Sequence, residues 1–398
     1  MKIGIVTYWN SSDNYGQQLQ CYALQKFLRN IGHNPYLIRY IYTKDADLSP
    51  ILHTLKTILR YIFIYPVLRN YLNKIKKNKQ ENFINELNIK NKQRRFSEFR
   101  DNHISLSENI YRSLNQLQVN PPSADVYITG SDQVWSQLLD RKDNEVYFLN
   151  FGKKSIKRIA YAPSFAMSSY PQHLHNKLKE QLSRFDAISV REYNGINICQ
   201  EVGANAVKVL DPTLLLSGID YENLITNINE DQSQNYENFI FLYSLNIEKL
   251  DDFGWNDLKQ YANTAKYKII VTPSSGYCPG YEIYDDVEYD YATISKWLFN
   301  IKHSKFVVTP SFHGIVFSIL FHKTFAYIPL KGKWEGGNAR ILNLLKDLGL
   351  ECYIWDEKKS LKELVLQIVD WNEVENKLSK QRLSSISYLN TNLLNHSV

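Results

Sequence analysis

Apolar and polar positions alternate along the 398-residue chain in a repeating α/β order. Short apolar runs, each followed by a polar loop and then by apolar residues at helical spacing, mark parallel strands joined by crossover helices. Ile3 to Tyr8 reads as a strand, Leu19 to Leu28 as a helix and Pro35 to Tyr40 as the next strand. Strands follow at Ala124 to Thr129, Ile156 to Tyr161, Phe185 to Val190 and Val207 to Leu210, and together they make a first sheet. A polar tract, Asn227 to Asn238, reads as an interdomain linker. The pattern then restarts with strands at Phe239 to Ser244, Tyr267 to Thr272, Phe306 to Val308 and Phe325 to Ile328. Helices are read at Tyr291 to Ile301, Ile315 to Phe321, Ala339 to Leu348 and Leu361 to Leu378, and Thr391 to Val398 reads as a frayed tail. The predicted architecture is α/β, two Rossmann-like domains facing across a cleft: residues 1–226, residues 239–380, and a tail at 381–398.

Length and a 44% hydrophobic content agree with two ordinary cores. Charge changes the picture locally. Between residues 51 and 100 twelve Lys and Arg face three acids, a net +9 against +6 for the whole chain, so the remainder is slightly acidic. With Leu52, Leu55, Leu59, Ile62 and Phe63 at helical spacing, this stretch reads as a basic helical insertion over about 45–115. It is either a solvated face or a surface for anionic lipid headgroups or a lipid-linked substrate, and no recognition motif points to nucleic acid.

Cys21, Cys199, Cys278 and Cys352 lie far apart without Cys-x-x-Cys spacing, so neither a zinc site nor a disulfide framework is expected, and a reducing cytoplasm fits. The N-terminus starts directly as a strand, which reads against a signal peptide. Tyr61 to Leu68, an apolar run broken by Pro66, falls short of the roughly 20 residues that span a bilayer. The chain is expected in the cytoplasm, either free or peripheral at the inner membrane surface.

The candidate chemistry lies where polar residues follow buried strands. In Thr309-Pro310-Ser311-Phe312-His313-Gly314-Ile315, His313 stands at a strand-to-helix turn, where free N–H groups and the helix dipole favour an anion. An imidazole there either moves protons beside a bound phosphate or merely caps the helix. Arg191, just past a strand, is a fork for carboxylate or phosphate unless it pairs with Glu192 or Glu201. Arg340 in the first turn of a helix is disfavoured by the dipole, so it needs an anion or an acidic partner. The loop Trp9 to Gln18 is too polar for a plain turn and lacks G-x-G-x-x-G; Asp13 or Asn14 would cap the next helix.

Several of these segments together resemble the polysaccharide pyruvyl transferase family: Asp13-Asn14-Tyr15-Gly16-x-Gln18-Leu19-Gln20, Gly130-Ser131-Asp132-Gln133-Val134-Trp135, Val190-Arg191-Glu192, Asp211-Pro212-Thr213, Trp297, Ser311-Phe312-His313-Gly314, and Arg340 in Asn338-Ala339-Arg340-Ile341. The resemblance implies a GT-B-like pair of domains, the first on the acceptor side and the second on the donor side. It implies transfer of pyruvate from phosphoenolpyruvate to two hydroxyls of one sugar, on a surface polysaccharide or its lipid-linked precursor, giving a cyclic ketal and phosphate.

Such a reaction needs an acid/base near neutrality and cations for the donor. His313 suits the first role, with Asp13 and Asp132 to orient or deprotonate a hydroxyl. Arg191, Arg340 and the N–H groups of Gly314 and Ile315, with Ser311 and Phe312 beside them, suit the second. Some members have Arg two residues before the histidine where this chain has Ser311, which raises Lys323, Lys331 or Lys333 as substitutes. Asn14, Tyr15, Gln18, Ser131, Gln133 and Trp135 are the expected acceptor side, with Trp135 stacking on a pyranose. No metal or cofactor is expected beyond phosphoenolpyruvate as co-substrate. The rival readings are a GT-B glycosyltransferase using a nucleotide sugar and a non-catalytic scaffold in polysaccharide assembly.

Overall fold

A computed structural model describes residues 1–41, 85–225, 238–247, 249–250, 253–274, 282–356 and 360–394. Two sheets, both parallel throughout, organise the chain. The first has seven strands in the order β3-β2-β1-β4-β5-β6-β7. They are β1 Lys2–Val6, β2 Asn34–Tyr40, β3 Leu106–Tyr111, β4 Val126–Thr129, β5 Lys157–Ala160, β6 Ala187–Val190 and β7 Val207–Lys208. The second has five, in the order β10-β9-β8-β11-β12. They are β8 Phe239–Leu245, β9 Lys268–Ser274, β10 Glu288–Tyr289, β11 Val307–Thr309 and β12 Phe325–Tyr327.

The central strands are apolar on both faces because helices cover both: β4 is buried along its whole length, as is β11. In each sheet the winding reverses once, between β1 and β4 in the first and between β8 and β11 in the second. A reversal leaves a crevice outside the carboxyl ends of the two strands, because their helices run to opposite faces. Both crevices open toward one shared cleft, the arrangement of a GT-B-like pair of Rossmann-like halves.

Helix α1 (Tyr15–Asn30) follows β1 and is buried on nearly every side. Its Tyr15, Leu19 and Leu24 share one hydrophobic cluster with Phe312, Ile315 and Phe317 of α2 (Phe312–Leu320), so the core runs unbroken from one half into the other. Helix α3 (Asn338–Leu348) follows β12 and ends at Gly349, whose φ of 74° is the left-handed cap that glycine takes without strain.

Three expectations change. Leu361 to Leu378 is two helices, Leu361–Val365 and α4 (Trp371–Leu394). The residues read as a tail continue α4 to Leu394, because Leu389 and Leu393 are buried and anchor it. This helix crosses back to the first half, where Ser385 Oγ accepts from the Leu210 N–H and the Tyr388 hydroxyl donates to the Ala160 carbonyl. The expected insertion over 45–115 also ends early: 106–111 is β3, an edge strand of the main sheet paired with β2, preceded by helix at 85–93 and 96–103. The basic residues up to 84 and most of the linker lie outside the described residues. Among the described residues no helix is long and apolar enough to cross a membrane.

Candidate active site

The shared cleft has a volume of about 540 Å³. Each of its walls is a set of strand-end loops. Ser11, Asp13, Asn14 and Gln17 come from the loop after β1 and the start of α1, Asp132, Gln133 and Ser136 from the loop after β4. Opposite them stand Asn246 after β8, Ser274 after β9, Ser311 to His313 after β11, and Trp334 and Arg340 after β12.

His313 is placed by the local sequence. Thr309 ends β11, Ser311 caps α2 by accepting the Gly314 N–H at 3.3 Å, and Gly314 packs where a Cβ would come 2.8 Å from the Thr309 side chain. The imidazole therefore lies in the helix's first turn, 8% exposed, and forms part of the cleft wall. It rests against Gly16 of α1 from the other half; a Cβ there would stand 1.9 Å from His313 Nδ1. Its Nε2 points inward, 3.6 Å from Asp211 Oδ1.

Asp211 is the hub behind the cleft. Its Oδ2 accepts from Arg191 Nη1 at 2.8 Å and from Ser131 Oγ at 2.7 Å, and its Oδ1 accepts from the Thr213 hydroxyl at 2.6 Å. Burial alone would raise this carboxyl, but His313, Arg191 and Thr213 together hold it well below the usual carboxylate range. Arg191 thus pairs with neither Glu192 nor Glu201. Glu192 turns away to accept from the Ser164 hydroxyl and the Phe165 N–H, both at 2.9 Å.

The two arginines flank one ring: Arg191 lies 4.7 Å and Arg340 5.7 Å from the Phe312 centroid. Burial and the repulsion of Arg191 push Arg340 down to about 10. With the Gln133 amide oriented by its neighbours, its oxygen accepts from Arg340 Nη2 at 3.0 Å and also from Nη1. Arg191 Nε and Nη2 and Arg340 Nε are buried without a hydrogen-bond partner among the described residues. A buried guanidinium left in this state is costly unless an anion or water completes it. Arg340 forms part of the cleft wall, whereas Arg191 lies one layer behind, on a small internal cavity shared with Asp211, Phe312 and Arg340.

Of the residues expected from the sequence, His313, Asp13, Asp132, Asn14, Gln133, Ser311, Phe312 and Arg340 meet in the cleft. Others do not. Trp135 is fully buried, stacked on Phe148 at 5.1 Å with its Nε1 donating to the Tyr147 carbonyl, so no sugar can lie on it. Tyr15 is also core: it stacks on Trp297, and its hydroxyl donates to the Ala292 carbonyl and accepts from Arg94. Gln18 is buried and donates to the Trp9 carbonyl, which fixes the loop after β1. Ser131 is committed to Asp211. The N–H groups of Gly314 and Ile315 are taken by Ser311 Oγ and the Ser311 carbonyl, so neither is free for a phosphate. Lys331 lines a neighbouring pocket with Trp355, Lys323 follows the far end of α2, and the Lys333 side chain lies outside the described residues.

Three participants escaped the sequence reading: Asp211, Gly16 and Trp334. The first two were visible only as members of motifs, Asp-Pro after a strand and Tyr-Gly at a helix start. Trp334, half-buried in a glycine-rich segment, gives the cleft its aromatic wall in place of Trp135.

A cleft between two parallel-sheet halves, with an imidazole and a guanidinium on one wall and carboxylates on the other, defines a two-domain α/β protein with its candidate site between the halves. In fold the chain is similar to UDP-GlcNAc 2-epimerase from Neisseria meningitidis bound to UDP-GlcNAc (TM-score 0.49, 9% identity, 100% of both chains covered). It is also similar to UDP-GlcNAc 2-epimerase from Methanocaldococcus jannaschii (TM-score 0.49, 10% identity, 97% of this chain and 99% of that one). No curated protein matches it. Residues 14–331 match the polysaccharide pyruvyl transferase family, and the chain belongs to that family.

Proposed function

We propose that the chain transfers pyruvate from phosphoenolpyruvate to two hydroxyls of one sugar in a surface polysaccharide or its lipid-linked precursor, closing a cyclic ketal and releasing inorganic phosphate. Carbon 3 of the enol takes up a proton, which leaves an oxocarbenium-like centre at carbon 2. One hydroxyl oxygen bonds to that centre, the carbon–oxygen bond to phosphate breaks, and the second hydroxyl closes the ring. Of the two hydroxyl protons, one balances the proton gained by carbon 3 and the other leaves with phosphate.

The observation that carries the reading is the pairing of His313 with Arg340 on one wall of a cleft whose other wall holds Asp13 and Asp132. An imidazole serves as acid near neutrality, a buried guanidinium meets the donor's phosphate or carboxylate, and the opposite carboxylates orient the sugar hydroxyls. Trp334 offers the acceptor ring an apolar face. The donor is a co-substrate in this reading, with no further cofactor, and the protein works at the cytoplasmic side of the membrane where lipid-linked precursors are built.

Ligand-dependent melting tests the donor. A ligand at 100 times its dissociation constant stabilises the fold by about 2.7 kcal/mol. Phosphoenolpyruvate should raise the melting temperature and UDP- or GDP-sugars should not; the reverse pattern would favour a glycosyltransferase.

A further inference from the structure

Asp211 does more than neutralise a buried cation. Its carboxylate, 1% exposed, stands between His313 on the cleft wall and Arg191 one layer behind it, and it engages only part of each. It holds Arg191 by Nη1 alone, at 2.8 Å, and leaves the Nε/Nη2 edge without a partner. That edge is the one with two parallel N–H groups, the geometry that accepts a carboxylate or phosphate in bidentate fashion. Toward His313 it presents Oδ1 at 3.6 Å from Nε2, an ion-pair distance just beyond a hydrogen bond. Because Nε2 is the buried nitrogen, Nδ1 is the one left to serve the cleft. The carboxylate is itself immobilised by Ser131 Oγ at 2.7 Å and by Thr213, whose N–H and hydroxyl donate at 3.0 and 2.6 Å. A buried ion pair needs only its two members, whereas here two hydroxyls from separate strand ends fix the acid between a guanidinium and an imidazole.

We propose that Asp211 is a positioning residue for the transfer: it keeps the His313 proton on Nε2 so that Nδ1 exchanges protons with the donor, and it holds Arg191 as a fixed positive charge one layer behind the cleft wall. The proposal rests on the pyruvyl-transfer reading for its chemistry, but its geometry is independent of the donor. The groups that face His313 are Asp211 on its Nε2 side, Arg191 behind that carboxylate, Arg340 beyond the Phe312 ring, and Asp13 and Asp132 across the cleft; Gly16 against the ring is neutral. Asp211 is the nearest charge among them, so its removal dominates the change at His313.

The test pairs nitrogen-15 NMR of the imidazoles with kinetics of the Asp211→Asn variant, which keeps the side-chain shape. In the wild type, neutral His313 should carry its proton on Nε2, and a signal from the Nδ1-protonated form would overturn the proposal whether or not the variant folds. In Asp211→Asn the Nε2-protonated form of neutral His313 should lose its dominance, because the acceptor that holds that proton is gone. The kcat should fall at least ~10²-fold while KM changes little. A purely structural carboxylate would lower the melting temperature yet leave the tautomer and kcat in place, and that result refutes the positioning role. If wild-type protein transfers no pyruvate while the NMR behaves as stated, the pyruvyl-transfer reading falls and the Asp211 hold on His313 stands.

Discussion

At the residue scale, burial decides which side chains can do chemistry. Trp135 and Trp334 are the same residue type in polar loops, yet one is stacked inside the first half and the other stands on the cleft. Trp135→Ala should therefore cost about 3–5 kcal/mol of stability, as a large core truncation does, with the KM for acceptor unchanged; denaturant unfolding beside acceptor kinetics checks both. Asp211 gives a pH prediction with a definite sign. Its carboxyl titrates below the ordinary 3.8 in the folded protein, so the unfolded chain takes up the proton first. The stability it contributes is present above that ordinary value and is lost as the pH falls below it. Urea unfolding of Asp211→Asn should consequently vary less between pH values of about 5 and 3 than that of the wild type. His313 stood out in the sequence by its place at a strand-to-helix turn and Arg340 by its place in the first turn of a helix, and both line the cleft. Asp211 was not, because Asp-Pro after a strand reads equally as a turn, and only the fold brings it to His313, a hundred residues away in the chain.

At the scale of elements, catalysis would depend on the contact between α1 and α2, the two helices that follow the switch-point strands of the two halves. Tyr15 and Gly16 open one, Phe312 and His313 the other, and the imidazole fills the space that Gly16 leaves. Gly16→Ala gains about 1 kcal/mol of helix propensity and costs about 1–3 kcal/mol through overpacking, so the fold should survive. The added methyl displaces the ring, and kcat should fall ~10²-fold or more while the melting temperature drops by no more than several degrees. A fully active Gly16→Ala protein would show that His313 tolerates displacement and does not act in the reaction. The strands and helices were largely legible, since parallel strands buried on both faces leave unmistakable apolar runs. Helix α4 was not: its anchors Leu389 and Leu393 are spaced through polar sequence, and their burial depends on a return to the first half that local periodicity cannot express.

At the scale of the whole molecule, each half supplies an incomplete site. The first half contributes Asp13, Asp132, Arg191 and Asp211; the second contributes His313, Trp334 and Arg340, and the contact between Asp211 and His313 joins them. The two-domain plan was readable from the repetition of the α/β pattern, whereas the convergence of both switch points on one cleft required the three-dimensional structure. The most direct measurement is mass spectrometry of polysaccharide precursors extracted from cells lacking this protein, then incubated with it and phosphoenolpyruvate. Pyruvyl transfer requires a gain equal to pyruvate less one water, one phosphate released per ketal, and loss of both with His313→Ala. Precursors unchanged by phosphoenolpyruvate but extended by a sugar when a nucleotide sugar is supplied would contradict it.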